Sequence, residues 1–305
     1  MSKLHYLALS GIPGIGGVTA RKMLDRFGSL GSAFAADDED LLAIPRLTPD
    51  MLRGLREADL DGLEASVEAM DEQGVHIVTW EDDDYPANLL EARDSPYLLY
   101  VVGDLQPGDA QAVAVVGSRD ASPRALDIAE RLSRELAQEG VSVVSGLAQG
   151  IDTAAHRGAL AADGGRTLAV LGCGLRAIHP RENVRLAEEI SQNGAVMTEY
   201  APNVTVRGPQ LMARDRIVSG LSRGVVVVEA QVQSGSVDTA ERARKQERVV
   251  FAVPGSPGTD ALIRSGATAV DPAAGIAGII QGLATIQAPS AQPEPAKEQP
   301  SLWDD

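Results

Sequence analysis

A chain of 305 residues that is 44% hydrophobic can build one sizeable core with a smaller unit beside it, which excludes a disordered protein. Its single cysteine, Cys173, excludes an intrachain disulfide, and no apolar run nears the roughly 20 residues that span a bilayer, so the sequence reads as soluble and cytoplasmic. The net charge of −16 opposes a polyanionic partner until its distribution is counted: residues 110–270 hold 18 Lys and Arg against 17 Asp and Glu, and the acidity lies in the two ends.

Residues 5–73 show apolar positions at helical spacing in Leu4–Leu9, Val18–Phe27 and Leu60–Met70 and no strand signal, so a small helical domain is expected over residues 1–74. Within it, Gly11 to Ala20, followed by Arg21-Lys-Met-Leu24, has the pattern of a helix-hairpin-helix turn, whose glycine amides approach a DNA phosphate. The same pattern serves a turn used only for packing, and the acidic run Asp37 to Asp40 argues against strong DNA contact nearby. Residues 75–105 carry the strand-like Val75–Thr79, an acidic turn at Glu81–Asp84, and Pro86 and Pro96 beside short apolar runs. They read as an extension that docks on the unit after it.

From Ala112 a βα alternation begins, with strand runs at Ala112–Val116, Val141–Ser145, Thr167–Leu171, Ala195–Glu199, Val225–Glu229 and Val249–Val253. These runs are continuously apolar, which predicts a sheet covered on both faces: a Rossmann-like doubly wound parallel α/β fold over residues 75–285. Ser122, Pro123 and Gly140 mark an N-cap, a first turn and a C-terminal stop for the helix after the first strand. Residues 286–305, rich in Ala, Gln, Pro and Glu, read as a disordered acidic tail.

Doubly wound sheets bind ligands at the carboxyl ends of their strands. The loops expected there are small and polar: Gly117-Ser118-Arg119, Ser145-Gly146 through Gly150 to Asp152, Gly172-Cys-Gly174-Leu175, and Gln233-Ser234-Gly235-Ser236. Glycine exposes backbone amides, serine adds hydroxyls, and helix N-termini favour anions, so successive phosphates are the expected occupant. Arg207, Arg214 and Arg216 fall at a loop-to-helix boundary of the same edge and supply guanidinium forks. Arg214 and Arg216 diverge on a helix, so one of them can pair with Asp215 or a core carboxylate instead. Gly172-Cys-Gly-Leu-Arg-Ala177 matches a dinucleotide fingerprint formally, but it follows the third strand of the alternation and runs into Ile178-His-Pro180. No cofactor, metal site or catalytic set is expected. His156, four residues after Asp152, reads as structural, and Cys173 as a small buried hydrophobe.

In this order, Gly117-Ser-Arg119, Ser145-Gly-Leu-Ala-Gln-Gly-Ile-Asp152 with Ala155-His156, Ala169-Val-Leu-Gly-Cys-Gly-Leu175, His179-Pro-Arg-Glu-Asn183, Val228-Glu-Ala230, Ser234-Gly-Ser236 and Ala252-Val-Pro-Gly255 resemble the DNA-processing protein A (Smf) family. The likeness covers about residues 75–270. It implies a sterile-alpha-motif-like helical domain in front, single-stranded DNA held at the sheet edge, a homodimer, and delivery of RecA onto DNA covered by single-strand-binding protein during natural transformation, without enzymatic activity. Two departures stand out. Where the family shows Phe-Pro-x-Arg-Asn-Arg this chain has Leu211-Met-Ala-Arg-Asp-Arg216, and its Gly-x-Asn is Gly258-Thr-Asp260. The winged-helix-like unit that many members carry is not expected in the Pro-rich tail.

The rival reading is a phosphoribohydrolase of the lysine-decarboxylase-like group, whose Pro-Gly-Gly-x-Gly-Thr-x-x-Glu loop corresponds to Ser234 to Arg242, with arginine in the glutamate's place. A nucleotide-binding interaction protein is a third.

Overall fold

The computed structural model describes residues 2–284, so the tail expected at 286–305 lies outside the described residues. Six helices come first: α1 (Ser2–Ser10), α2 (Gly17–Phe27), α3 (Leu30–Ala35), α4 (Asp38–Leu42), α5 (Pro49–Arg56) and α6 (Leu60–Asp71). They enclose a core of Tyr6, Leu9, Met23, Leu30 and Leu41. Next come β1 (His76–Thr79), α7 (Ala87–Leu90) and β2 (Leu98–Gly103).

The predicted alternation follows as β3 (Val113–Val116), α8 (Pro123–Gln138), β4 (Val143–Ser145), α9 (Ile151–Leu160), β5 (Thr167–Val170), α10 (Val184–Gln192) and β6 (Gly194–Thr198). It continues as α11 (Gly208–Gly220), β7 (Gly224–Val227), α12 (Gly235–Lys245), β8 (Val249–Ala252), α13 (Pro257–Arg264), β9 (Thr268–Ala269) and α14 (Ala277–Ala284). The expected cap of α8 is in place: the Ala125 N–H donates to Ser122 Oγ at 3.2 Å, and Gly140 takes a φ of 75° just past the helix end.

The strands form one sheet in the order β1-β2-β6-β5-β4-β3-β7-β8-β9. The run from β6 to β9 is parallel, whereas β1 and β2 are antiparallel additions on the β6 edge. Residues 75–105 therefore extend the sheet, and they close the edge that β6 would otherwise leave open. Both faces are covered, as the uninterrupted apolar strands require. Val113, Val115, Val143 and Val226 pack under α8, α9 and α14, while Ala114, Val144, Leu168, Val170 and Val225 pack under α11, α12 and α13.

The helical domain rests on the β1–β2 extension through Tyr6, Ile77, Tyr97 and Tyr100. Polar contacts fix the fit: Lys3 Nζ donates to the Ile77 carbonyl at 2.8 Å, and Tyr97 Oη donates to the Ile15 carbonyl at 3.1 Å. A Cβ on Gly17 would lie 2.6 Å from the Ser95 carbonyl oxygen. The glycine-rich turn, open to two readings from sequence, thus packs against the sheet domain at Ile15 and Gly17.

At the amino ends of the strands, one ion pair ties three connections together. Asp109, before β3, takes Nε and Nη2 of Arg166, before β5, at 2.6 and 2.7 Å. It also accepts Ser142 Oγ, before β4, at 2.7 Å and the Gln106 N–H at 2.8 Å. Asp109 is buried, so its removal strands a guanidinium with little water around it. Asp109→Ala should lower the unfolding free energy by about 3–5 kcal/mol. Urea denaturation checks this, and a loss under about 1 kcal/mol, the value of an exposed pair, would remove the assigned role.

Candidate nucleic-acid interface

The strand order reverses at β3: β4, β5 and β6 lie on one side of it, β7, β8 and β9 on the other. Loops leaving β3 and β7 diverge there and leave a crevice at the carboxyl ends. It is a cavity of about 480 Å³, lined by Gly117, Ser118, Arg119 and Asp120 after β3, Gly146, Ala148 and Asp152 after β4, Leu211, Met212, Arg214 and Asp215 of α11, and Gln231, Ser234, Gly235 and Ser236 at the start of α12.

Glycines draw these loops together. A Cβ on Gly117 would lie 2.6 Å from Ile151 Cγ1, and one on Gly150, whose φ is 79°, would lie 2.3 Å from the Ser118 carbonyl oxygen. Neither site tolerates a side chain. Main-chain bonds complete the link, with Ser118 N–H donating to the Glu229 carbonyl at 2.8 Å and Ile151 N–H to the Ser118 carbonyl at 3.1 Å. Glu229 turns its carboxylate to the start of α8, accepting from the Ser122 N–H at 3.0 Å and Oγ at 2.7 Å.

The charges divide into one exposed and one buried set. Arg119 is exposed on the cavity rim and makes no hydrogen bond or ion pair among the described residues, which leaves its guanidinium free for a ligand. Arg214 is 4% exposed, donates Nη1 to the Val170 carbonyl at 2.6 Å, and lies with Nε 3.3 Å from Asp215 Oδ1. A Cβ on Gly146 would lie 1.7 Å from Arg214 Nη1, so glycine makes room for the guanidinium.

Asp152 accepts the Gly146 and Ala148 N–H groups at 3.1 and 3.3 Å. Burial raises its pKa above the usual carboxylate value, and Arg214 and the amide donors oppose that rise. Asp215 is pushed up to about 6 by burial, against the pull of Arg214 and helped by Asp152 and Asp238. His156, buried and near Arg214, is depressed to about 3, and its Nδ1 lies 2.8 Å from Thr167 Oγ1. The neutral imidazole is structural, and Asp152 faces amides rather than this ring.

Eight of the residues read from sequence line the cavity: Gly117, Ser118, Arg119, Gly146, Arg214, Ser234, Gly235 and Ser236. The other five serve the scaffold around it. Ser145 is buried and donates Oγ to the Val115 carbonyl at 2.7 Å. Gly150 holds the β3 and β4 loops together. Gly172 packs on Leu211, and Gly174 on the 201–204 segment, where a Cβ would lie 2.2 Å from the Ala201 carbonyl oxygen. Arg216 turns from the cavity to a bidentate pair with Glu199, both bonds 2.6 Å, and donates Nε to the Asp94 carbonyl at 2.9 Å. This is the carboxylate pairing that the divergence of the two arginines allowed.

A second groove, of about 740 Å³, was missed from sequence. It is lined by Arg176, His179, Arg181, Glu188 and Thr205, beside the loop after β5. The strand-end logic that selected Gly172 and Gly174 also covered these cations a few residues on, and they were the signal to follow. Among the described residues no cluster of His, Cys, Asp and Glu could hold a metal ion, and no helix is long and apolar enough to cross a membrane.

Fold and site together define a doubly wound α/β protein with an amide-rich, arginine-bearing crevice at its topological switch point. This chain belongs to the DNA recombination-mediator protein A family, whose model matches residues 76–281. A SAM-like helix-hairpin-helix tandem model matches residues 6–58. DNA processing protein DprA of Streptococcus pneumoniae is 45% identical over 195 residues, 62% of this chain and 68% of its own length. Protein Smf of Escherichia coli is 40% identical over 215 residues, 68% of this chain and 57% of its own length. The X-ray structure of the S. pneumoniae protein superposes with a TM-score of 0.77 at 34% identity, covering 88% of this chain and 95% of that one. The Helicobacter pylori DNA processing protein A, solved for its single-stranded DNA binding mode, gives a TM-score of 0.59 at 32% identity, covering 68% of this chain and 94% of that one.

Asp215 offers a direct test of the site's electrostatics. A carboxyl whose pKa rises on folding, here from 3.8 to about 6, favours the folded state when protonated, so stability is lost as pH rises through that window. Asp215→Asn should therefore gain about 1–3 kcal/mol at pH 8 relative to the parent chain, with the difference shrinking below pH 4. Denaturation midpoints across pH 3 to 8 measure it. A constant difference would show that Asp215 titrates normally.

Proposed function

We propose that this protein binds the phosphate backbone of single-stranded DNA along the carboxyl edge of its sheet and acts as a recombination mediator rather than an enzyme. The observation that carries the reading is the convergence in one crevice of the Gly117–Arg119 loop, the Gly146 loop and the Ser234–Ser236 start of α12 beside the unpaired Arg119. The Gly235 and Ser236 amides at the start of α12 and the Arg119 guanidinium have no acceptor among the described residues, while the Ser118 and Ser234 hydroxyls rest on the Asp120 and Gln231 carbonyls beside them, and a phosphate diester supplies acceptors in series. Single strands suit the site because its closely spaced amide loops carry no base-reading helix, and a flexible backbone can follow a bent edge. The cations Arg176 and Arg181 lie beside the β5 loop and continue the same edge.

On this reading the partners are single-stranded DNA, the recombinase RecA, single-strand-binding protein and a second copy of the chain, in the cytoplasm during natural transformation. Family membership and the DNA-binding mode studied in the H. pylori relative support it. The hydrolase alternative needs a carboxylate where Arg242 stands, and Arg242 Nε is instead held 2.7 Å from Asp238 Oδ2. Incubation with AMP should release no free base. Ribose 5-phosphate formed at enzymatic rates would transfer the assignment to that rival.

Gel-shift titrations should show tighter binding to single strands than to duplex, with little dependence on sequence. Arg119→Ala should weaken binding by about 1–3 kcal/mol and make the log-log salt slope shallower by about 0.7, at an unchanged melting temperature. An unchanged slope with a large loss of stability would make Arg119 a structural residue. Affinity should also rise as pH falls from 8 to 5, because Asp215 loses its charge near pH 6, and Asp215→Asn should flatten that profile. A parent profile that is already flat would remove Asp215 from the interface.

A further inference from the structure

α8 and α12 follow the two strands that flank the switch point, and their first turns differ. That of α8 is closed: the Glu229 carboxylate accepts the Ser122 N–H at 3.0 Å and Oγ at 2.7 Å, the Ala125 N–H is taken by Ser122 Oγ, and Pro123 has no N–H to give. That of α12 is open. Its N-cap Ser234 makes no side-chain bond into the helix and donates Oγ to the Gln231 carbonyl at 2.9 Å, which leaves the Gly235 and Ser236 N–H groups without an acceptor among the described residues. Arg214, 4% exposed, lines the same cavity with its Nε in no hydrogen bond, although Asp215 Oδ1 is 3.3 Å away. An anion entering the crevice is thereby directed to α12 and Arg214 rather than to α8.

Asp215 stands beside that position, its Oδ2 3.6 Å from where a Cβ on Gly235 would lie. Every element around it contributes charge: Arg214 from its own helix, Asp152 from α9, Asp238 and Arg242 of α12 paired with each other at 2.7 Å, and Arg119 and Asp120 on the rim after β3. Arg216, the next residue of α11, is committed to Glu199. The cavity wall thus holds two guanidiniums, Arg119 and Arg214, against the carboxyls of Asp120, Asp152 and Asp215. One negative charge on a ligand meets amides and guanidiniums; a second finds no cation left and Asp215 facing it. We propose that Asp215 makes the crevice select a singly charged phosphate diester over a doubly charged monoester, so that the interior of a strand is held in preference to a phosphorylated end or a free nucleotide. The inference rests on the phosphate reading of the crevice.

The two ligand classes differ in how they respond to pH. A diester keeps its single charge, whereas a monoester gains its second near pH 6. Burial pushes Asp215 up to about 6, with Asp152 and Asp238 adding to the rise and Arg214 and Arg242 opposing it. Above that range both extra charges are present and repel, and below it neither is. Two like charges about 6 Å apart near a protein surface, screened by salt, cost about tenfold in affinity. The pattern that this stretch resembles has an amide where Asp215 stands, so asparagine removes the charge at nearly constant shape.

Thymidine 5′-monophosphate and its methyl ester are matched probes that differ in this charge, and the Gly235 and Ser236 amide resonances of the isotope-labelled full chain report their binding directly. At pH 8 the ester is expected to bind about tenfold more tightly than the monophosphate. The gap should close at pH 5.5, and also at pH 8 in Asp215→Asn, whose resonances away from the crevice report the intact fold. Equal affinities at pH 8 in the parent chain, a preference of full size surviving in Asp215→Asn, or an ester that shifts neither amide would each overturn the proposal. A titration with an oligonucleotide bearing a 5′-hydroxyl tests the underlying reading separately. A strand that fails to bind where the ester shows its preference ends the strand reading and leaves the charge selection standing, whereas a strand that binds where the ester shows none ends the selection alone.

Discussion

A guanidinium taken out of water needs acceptors and opposite charge, and the site is arranged around Arg214, which has one carbonyl acceptor and an ion pair whose Nε makes no hydrogen bond. The side chain lies beneath the β4 loop with the Val170 carbonyl on one side and Asp215 on the other. Its position dictates glycine at 146, because any Cβ there would collide with it. Gly146 in turn gives its N–H to Asp152, and the same positive charge adds to the burial that depresses His156 and restrains the burial-driven pKa rise of Asp152 and Asp215. One buried cation therefore shapes a loop and a helix start and tunes the ionisation of three buried neighbours. The exposed Arg119 on the rim is left unconstrained, which the proposed phosphate contact requires.

This division reconciles the proposed phosphate site with the carboxylates around it. Asp152 satisfies amides of its own loop, and Asp215 sits between Arg214 and the start of α12, where a Cβ on Gly235 would be 3.6 Å from its Oδ2. Both acids belong to the foundation of the crevice. Asp215, pushed up to about 6 by burial, carries a charge that varies near neutral pH.

Much of this was legible in the sequence. Continuous apolar runs announced a doubly covered parallel sheet, and Ser122, Pro123 and Gly140 announced α8 because capping is local chemistry. The crevice loops could be found because small polar residues sit where a strand must give way to a helix. Tertiary neighbours were not legible. Gly172 and Gly174 look like ligand-facing glycines, yet their missing side chains make room for Leu211 and for the Ala201–Pro202 backbone. Arg216 looks equivalent to Arg214, but two positions of helix separate their directions by about 200°, toward Glu199 and away from the cavity. The role of residues 75–105 as an edge extension showed in outline, whereas their antiparallel register with β6 depended on residues far along the chain.

That register sets an order of events during synthesis. Tyr100 of β2 faces Thr198 of β6, so the strand that carries the helical domain waits for a partner made almost a hundred residues later. At the pace of a ribosome, roughly 5 to 20 residues per second, the first third of the chain spends several seconds with Tyr100 to Gly103 of β2 lacking their β6 partners. The compact α1–α6 core, made from neighbours in sequence, keeps those residues company in the interval. The amino-terminal unit thus doubles as a temporary shield for a strand that has nowhere yet to go.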